Sequence, residues 1–194
     1  TVIREVNGRD VCLVRRFDRE VAGGHISRRG FLSARSVFHA DPAYIGVSTP
    51  SYARLSRWMP RYGCTAEQRQ ELFRRMVFNC VVRNVDDHEL NHGLVHVRGD
   101  TFELAPAYDI VPSLQRHAIH HHAMLTGDSG AGTIANLASV AEAFTLKRDE
   151  ALATLHDIQR KVLDHWRDVF YEAGFDDQAL HALEHVFQAL PAGN

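Results

Sequence analysis

A helix with a fully apolar face runs straight into a segment almost devoid of apolar side chains, and this junction constrains the chain more than any other feature. Thr65-Ala66-Glu67-Gln68 has the form of a capping box, in which Thr65 caps the first turn and Gln68 reaches back. Leu72, Phe73, Met76, Val77, Cys80 and Val81 then recur at helical spacing, which predicts one buried helix face. Directly afterwards comes Asn84-Val85-Asp86-Asp87-His88-Glu89-Leu90-Asn91-His92, where Val85 and Leu90 are the only apolar side chains. A core helix that delivers such a run ends either in a solvated loop or in a polar site.

The residues that follow favour a site. Leu94-Val95-His96-Val97 and Thr101-Phe102-Glu103-Leu104 flank Arg98-Gly99-Asp100 and read as a hairpin. Beyond it lies Ala105-Pro106-Ala107-Tyr108-Asp109-Ile110-Val111-Pro112. Asp109 has apolar neighbours, and a buried charge there is costly unless paired or metal-bound. An antiparallel return sets the two ends of the hairpin side by side, so Asp86, Asn91 and Asp109 can converge. Two carboxylates and an amide supply hard oxygen ligands for Mg²⁺ and a spare carboxylate as base. The order Asp-x4-Asn, hairpin, Asp is that of phosphoryl transfer in kinase folds, although neither HRDxxxxN nor DFG is spelled out.

The remainder of the chain is consistent with one large domain or part of a larger protein. There are 194 residues. Lys plus Arg is 22 against 24 for Asp plus Glu, a net charge of −2, which removes the electrostatic case for general nucleic-acid binding. No apolar run reaches the ~18 residues of a membrane span. No secretory signal is visible. Cys12, Cys64 and Cys80 are sparse and far apart, giving no disulfide framework, and a reducing, cytoplasmic compartment is expected. Val2–Val6 and Val11–Phe17 surround Asn7-Gly8, a type I′ hairpin signal. A hairpin so early predicts a sheet whose other strands lie elsewhere. Ala22-Gly23-Gly24 breaks the strand pattern, only short helix is expected over 25–50, and 126–135 reads as a flexible glycine-containing loop. A long amphipathic helix through Ala151, Leu155, Ile158, Val162 and Trp166 stops near Gly174. A last helix through Leu180, Leu183, Val186, Phe187 and Leu190 ends at Pro191. Leu72, Met76, Val77, Leu155, Ile158, Trp166 and Leu183 are expected to share an apolar core.

Val-Asp-Asp-His-Glu-Leu-Asn-His and Leu-Ala-Pro-Ala-Tyr-Asp-Ile-Val-Pro resemble the catalytic and metal motifs of HipA-like serine/threonine kinases, the bacterial toxin kinases of toxin–antitoxin systems. Arg15-Arg16-Phe17-Asp18-Arg19 is similar to their Glu-Arg-Phe-Asp-Arg strand end, with Arg in place of the usual Glu. The resemblance runs from about residue 10 to the last helix. It implies Asp86 as catalytic base, Asn91 and Asp109 as Mg²⁺ ligands, and His88, Glu89, Leu90, Asn91, Tyr108 and Asp109 around ATP. It further implies that Arg15, Arg16 and Phe17 form a hinge against adenine. Asp87, a variable position in the family, stays outside catalysis.

The implied fold is α+β, mainly α: a protein-kinase-like C-lobe with a remnant N-lobe hairpin. Residues 1–24 would be the end of the N-lobe sheet and the hinge. Residues 25–194 would be the helical C-lobe, carrying the catalytic loop at 84–92 and the metal motif at 105–112. The family's Gly-rich phosphate loop and ATP-pairing Lys lie upstream of the Arg-Phe-Asp-Arg strand and match nothing in this sequence; Lys147 and Lys161 read as solvated. The implied activity is ATP- and Mg²⁺-dependent phosphorylation of a cytosolic protein, with an aminoacyl-tRNA synthetase as the substrate class and a HipB-like DNA-binding antitoxin as partner. The alternative is a non-catalytic module that docks an antitoxin or a separately encoded N-lobe. His117, His120, His121 and His122 could ligate a transition metal, but no Cys or carboxylate nearby completes a set of four, which favours a structural role.

Overall fold

The helix that follows Thr65 is the axis on which the rest of the protein is assembled in the computed structural model, which describes residues 2–40, 50–114, 124–126 and 128–193. The predicted capping box is present: Gln68 N–H donates to Thr65 Oγ1, and Thr65 N–H donates to Gln68 Oε1. The helix spans Ala66–Val81, and all six of its predicted core residues are fully buried. In chain order the elements are strands β1 (Val2–Val6), β2 (Arg9–Leu13), β3 (Arg19–Ala22), β4 (His25–Arg28) and β5 (Phe31–Ser33), then helices α1 (Ala34–His39), α2 (Tyr52–Trp58) and α3 (Ala66–Val81). Strands β6 (Gly93–Arg98) and β7 (Thr101–Leu104) follow, and helices α4 (Ile134–Ser139), α5 (Arg148–Glu172) and α6 (Asp177–Leu183) complete the fold. It is an α+β fold, mainly helical, with small antiparallel sheets.

The first hairpin has the expected turn. Asn7 and Gly8 both have positive φ, 54° and 73°, and Val6 pairs with Arg9. A second hairpin, β3–β4, corrects the expectation that Gly23-Gly24 ends strand structure: both glycines have positive φ and form the turn itself. The hairpin predicted at 94–104 is β6–β7, and β5 adds to it as a third strand, with Leu32 opposite Leu94 and Leu94 opposite Leu104. Residues 126–135 are not all loop, because Thr133 caps α4 through Asn136 N–H. The last helix is shorter than predicted. It covers only Asp177–Leu183, and Val186, Phe187 and Leu190 are buried beyond its end.

Two apolar clusters replace the single expected core. The larger joins Leu72, Met76, Val77 and Leu155 with Phe38, Leu55 and Phe144, and Ile158 packs against it. The smaller joins Trp166 and Leu183 with Val82, Val186 and Phe187, the Trp166 and Phe187 rings stacking at 4.6 Å. Val82 belongs to the turn after α3, so the second cluster braces the place where the chain enters the polar loop.

Gly93 begins β6 opposite Ser33, under the ring of Phe31. A Cβ there would stand 2.4 Å from Phe31 Cζ and 2.7 Å from the Leu32 carbonyl oxygen, and the latter is backbone that cannot step aside. Gly93→Ala is expected to destabilise the fold by about 1–3 kcal/mol, as overpacking does, measured from the denaturation midpoint. An unchanged midpoint would mean that β5 and β6 are not in this register.

Candidate active site

The polar loop is set by the way α3 stops. Arg83 has φ 56°, Arg83 N–H donates to Cys80 O at 3.1 Å, and Asn84 N–H donates to Asn79 O at 2.8 Å. This is a Schellman termination with Arg, not Gly, at the left-handed position. Arg83 is held there from two sides: its guanidinium donates to His185 O at 2.8 Å, and its carbonyl accepts from Ser113 N–H at 3.0 Å. The helix end is thereby tied to the segment that follows Asp109.

Asp86 and Asp87, adjacent and identical, have opposite environments. Asp86 is exposed, with its carboxylate open to solvent. Asp87 is fully buried. Tyr52 OH donates to Asp87 Oδ2 at 2.5 Å, and His92 Nε2 lies 2.7 Å from Oδ1. Burial first, then the Asp87 carboxylate, pushes the Tyr52 hydroxyl well above its usual pKa, so it stays protonated and donates. Asn79 Nδ2 donates to Tyr52 OH at 2.8 Å, and Asn84 Nδ2 donates to Asn79 Oδ1 at 3.1 Å and reaches Asp109 O at 3.4 Å.

Asn91 and Asp109 are brought together as the sequence predicts: Asn91 Nδ2 donates to Asp109 Oδ2. Asn91 is buried, and its Oδ1 accepts from His88 N–H at 3.1 Å. Asp109 itself is exposed, which corrects the expectation of a buried charge between apolar neighbours. Its distinguishing feature is conformational, a φ of 57°, a region that Asp tolerates better than most residues. Among the described residues no group of three His, Cys, Asp or Glu side chains is gathered for a metal. The Asn91–Asp109 pair offers a different donor set, a solvent-facing carboxylate and an amide oxygen that here accepts from His88 N–H, so the Asn91 amide must turn over for both residues to present oxygen to one ion. Hard oxygens of this kind fit Mg²⁺, which keeps several waters and uses few protein ligands. His117, His120, His121 and His122 lie outside the described residues.

A cleft of about 450 Å³ is lined by Val14–Asp18 with Phe31 and with Leu90 and Tyr108, the chain neighbours of Asn91 and Asp109. Five residues assigned to the nucleotide from sequence are therefore neighbours: Arg15, Arg16, Phe17, Leu90 and Tyr108. The Phe17 ring lies 5.8 Å from Phe31 and 5.7 Å from Tyr108. Arg16 grips Asp18 with two hydrogen bonds, 2.8 and 2.6 Å, and Arg19 adds a third at 2.5 Å, which fixes the turn after Phe17. The Arg16 hydrogen bonds hold the Asp18 carboxyl down at about 2. His88, Glu89, Asn91 and Asp109, also assigned to the nucleotide from sequence, do not line the cleft. His88 Nδ1 accepts from Leu90 N–H, and Glu89 O accepts from Arg35 N–H, so both shape the loop. Phe31 escapes sequence reasoning because only the β5–β6 pairing brings it here.

The family model described as HipA-like C-terminal domain matches residues 1–166. No curated protein matches the chain. Among solved structures, the chain is similar to one in the Shewanella oneidensis MR-1 toxin–antitoxin complex of HipA, HipB and operator DNA, with a TM-score of 0.68 at 19% identity. The match covers 95% of this chain and 48% of that one, so the chain spans about half the length of that relative. At this identity the likeness shows the fold.

Tyr108 ties the two loops together, its hydroxyl donating to Leu90 O at 2.6 Å. Burial, with a smaller contribution from Asp109, pushes that hydroxyl up to about 12, which keeps it a donor at neutral pH. Tyr108→Phe retains the ring against Phe17 and removes the tie. It is expected to cost about 0.5–1.5 kcal/mol by chemical denaturation, the net worth of one such hydrogen bond.

Proposed function

The chain belongs to the HipA-like C-terminal domain family, and from that premise we propose that it is the catalytic lobe of an ATP- and Mg²⁺-dependent serine/threonine protein kinase. The observation that carries the reading is the pairing of Asn91 with Asp109, whose chain neighbours Leu90 and Tyr108 line a cleft with Arg15, Arg16 and Phe17. An amide and a carboxylate thus sit one residue from the walls of a cleft with an aromatic lining, with room for a nucleotide base.

Each residue has a definite task in this reading. The exposed Asp86 accepts the proton of the substrate hydroxyl, and its solvent-facing position lets a protein side chain approach. Asn91 and Asp109 would hold Mg²⁺, which would supply charge neutralisation for a phosphoryl group in transfer. The backbone at Arg15–Phe17 meets the adenine edge, so the Arg that replaces the family's usual Glu leaves that contact intact. Phe17, Phe31 and Tyr108 offer ring faces to the base. The upstream phosphate loop and its Lys are to be supplied from outside these 194 residues. The substrate class is a cytosolic protein, with an aminoacyl-tRNA synthetase as the first to test. The regulatory partner is a HipB-like DNA-binding antitoxin, as in the Shewanella complex.

Two substitutions in the full-length protein separate the roles. Asp86→Asn is expected to abolish phosphoryl transfer, by about 10²–10⁴-fold for loss of a general base, with ATP binding retained. Asp109→Ala is expected to weaken Mg²⁺–ATP binding itself, read by calorimetry. Undiminished autophosphorylation by Asp86→Asn would remove Asp86 from the base role. Absence of any transfer by the wild-type protein, with an antitoxin still bound, would favour the non-catalytic docking module.

A further inference from the structure

Asp87 is the only acidic side chain that is buried among the described residues, and it does not line the cleft. A buried carboxylate is tolerated only where donors surround it. Here the donors form a chain rather than a cluster. Asn84 Nδ2 donates to Asn79 Oδ1, Asn79 Nδ2 donates to Tyr52 OH, and Tyr52 OH donates to Asp87 Oδ2, while His92 closes the other oxygen.

Every donor in that chain points toward the carboxylate. Asp87, an obligate acceptor when ionised, fixes the Tyr52 proton. The Tyr52 oxygen must then accept, which fixes the Asn79 amide. Asn79 Oδ1 must accept in turn, which fixes Asn84. Reversing either amide would set two acceptors or two donors against each other in a buried site, leaving groups unsatisfied where water cannot reach them. The far end of the chain is the Asn84 amide group, 3.4 Å from the carbonyl of Asp109, the residue held at positive φ. The near end is the chain neighbour of Asp86.

We propose that Tyr52, Asn79 and Asp87 form a buried positioning relay that sets the catalytic loop at Asp86 and the metal loop at Asp109 relative to one another. None of the three touches substrate or nucleotide. They act through Asp86, Asn84 and Asp109. The relay deepens the kinase reading and rests on it for the catalytic part of its consequences, whereas the coupling of the two loops is a property of the fold alone.

The test uses the full-length protein and two variants, Tyr52→Phe and Asn79→Ala, with amide hydrogen exchange alongside kinetics. Tyr52→Phe removes the link between Asp87 and the rest. Its kcat is expected to fall by about tenfold or more, as small misplacements of reacting groups do, with the KM for protein substrate little changed and the Mg²⁺ concentration for half-maximal rate raised. Exchange is expected to quicken at 86–91 and 108–110 relative to α5. Asn79→Ala leaves Tyr52, Asp87 and His92 joined, so exchange is expected to quicken at 108–110 and not at 86–88. A lower melting temperature with kcat, Mg²⁺ dependence and local exchange unchanged would overturn the relay, as would a uniform rise in exchange across the chain. Should Tyr52→Phe fail to fold, the Asn79→Ala exchange pattern decides. A wild-type protein with no transferase activity would end the kinase reading, while the exchange measurements would still judge the relay.

Discussion

A carboxylate with no access to water has to find its donors inside the protein, and the need of Asp87 for Tyr52 and His92 organises the half of this fold around the polar loop. Tyr52 opens α2, and Ser51 caps that helix through Arg54 N–H, so the hydroxyl is delivered by an element with its own local reason to exist. His92 immediately precedes β6, and its carbonyl accepts from Ala34 N–H at the start of α1. Meeting the demand of one buried charge therefore brings α1, α2, α3 and β6 into register around the polar loop. Its neighbour Asp86 is exposed.

The cleft depends on a second constraint, close approach of backbone to ring. Gly93 lets Phe31 lie flat on β6, and from there Phe31 meets Phe17 and Tyr108. Tyr108 then reaches back to Leu90 through its hydroxyl. One wall of the slot thus comes from residues 14–18, another from the loop before β6 and another from the loop after β7. Leu90 and Tyr108, which line the slot, are the chain neighbours of Asn91 and Asp109, so the slot and the Asn91–Asp109 pair are set by the same two loops.

What was legible in the sequence was what local chemistry decides. The Thr65 capping box, the buried stripe of α3, the Asn7-Gly8 turn and the β6–β7 hairpin each carry their signal within a few residues. The meeting of Asn91 with Asp109 was also readable, because a hairpin between two loops leaves little choice about where its ends lie. The rest depended on distant partners. Nothing local distinguishes Asp86 from Asp87; the residue that decides between them, Tyr52, is 35 positions away. Gly23-Gly24 read as a break because β3 and β4 are exposed and lack the alternation that marks a half-buried strand. Val186, Phe187 and Leu190 keep an apolar rhythm past α6 because Trp166 and its neighbours cover them, not because the helix continues. Asp109 was singled out for the wrong reason, burial, when its positive φ is what sets it apart.

The central claim is that Mg²⁺–nucleotide sits at the Asn91–Asp109 pair with its base among Phe17, Phe31 and Tyr108. Replacing Mg²⁺ by Mn²⁺ with ATP in the full-length protein tests it directly, because the paramagnetic ion broadens nuclear resonances by proximity. The account predicts selective broadening of the Asn91 and Asp109 signals, with the Phe17 and Tyr108 rings shifting on addition of nucleotide. Broadening centred elsewhere, or signals at Asn91 and Asp109 that stay sharp while ATP binds, would contradict it.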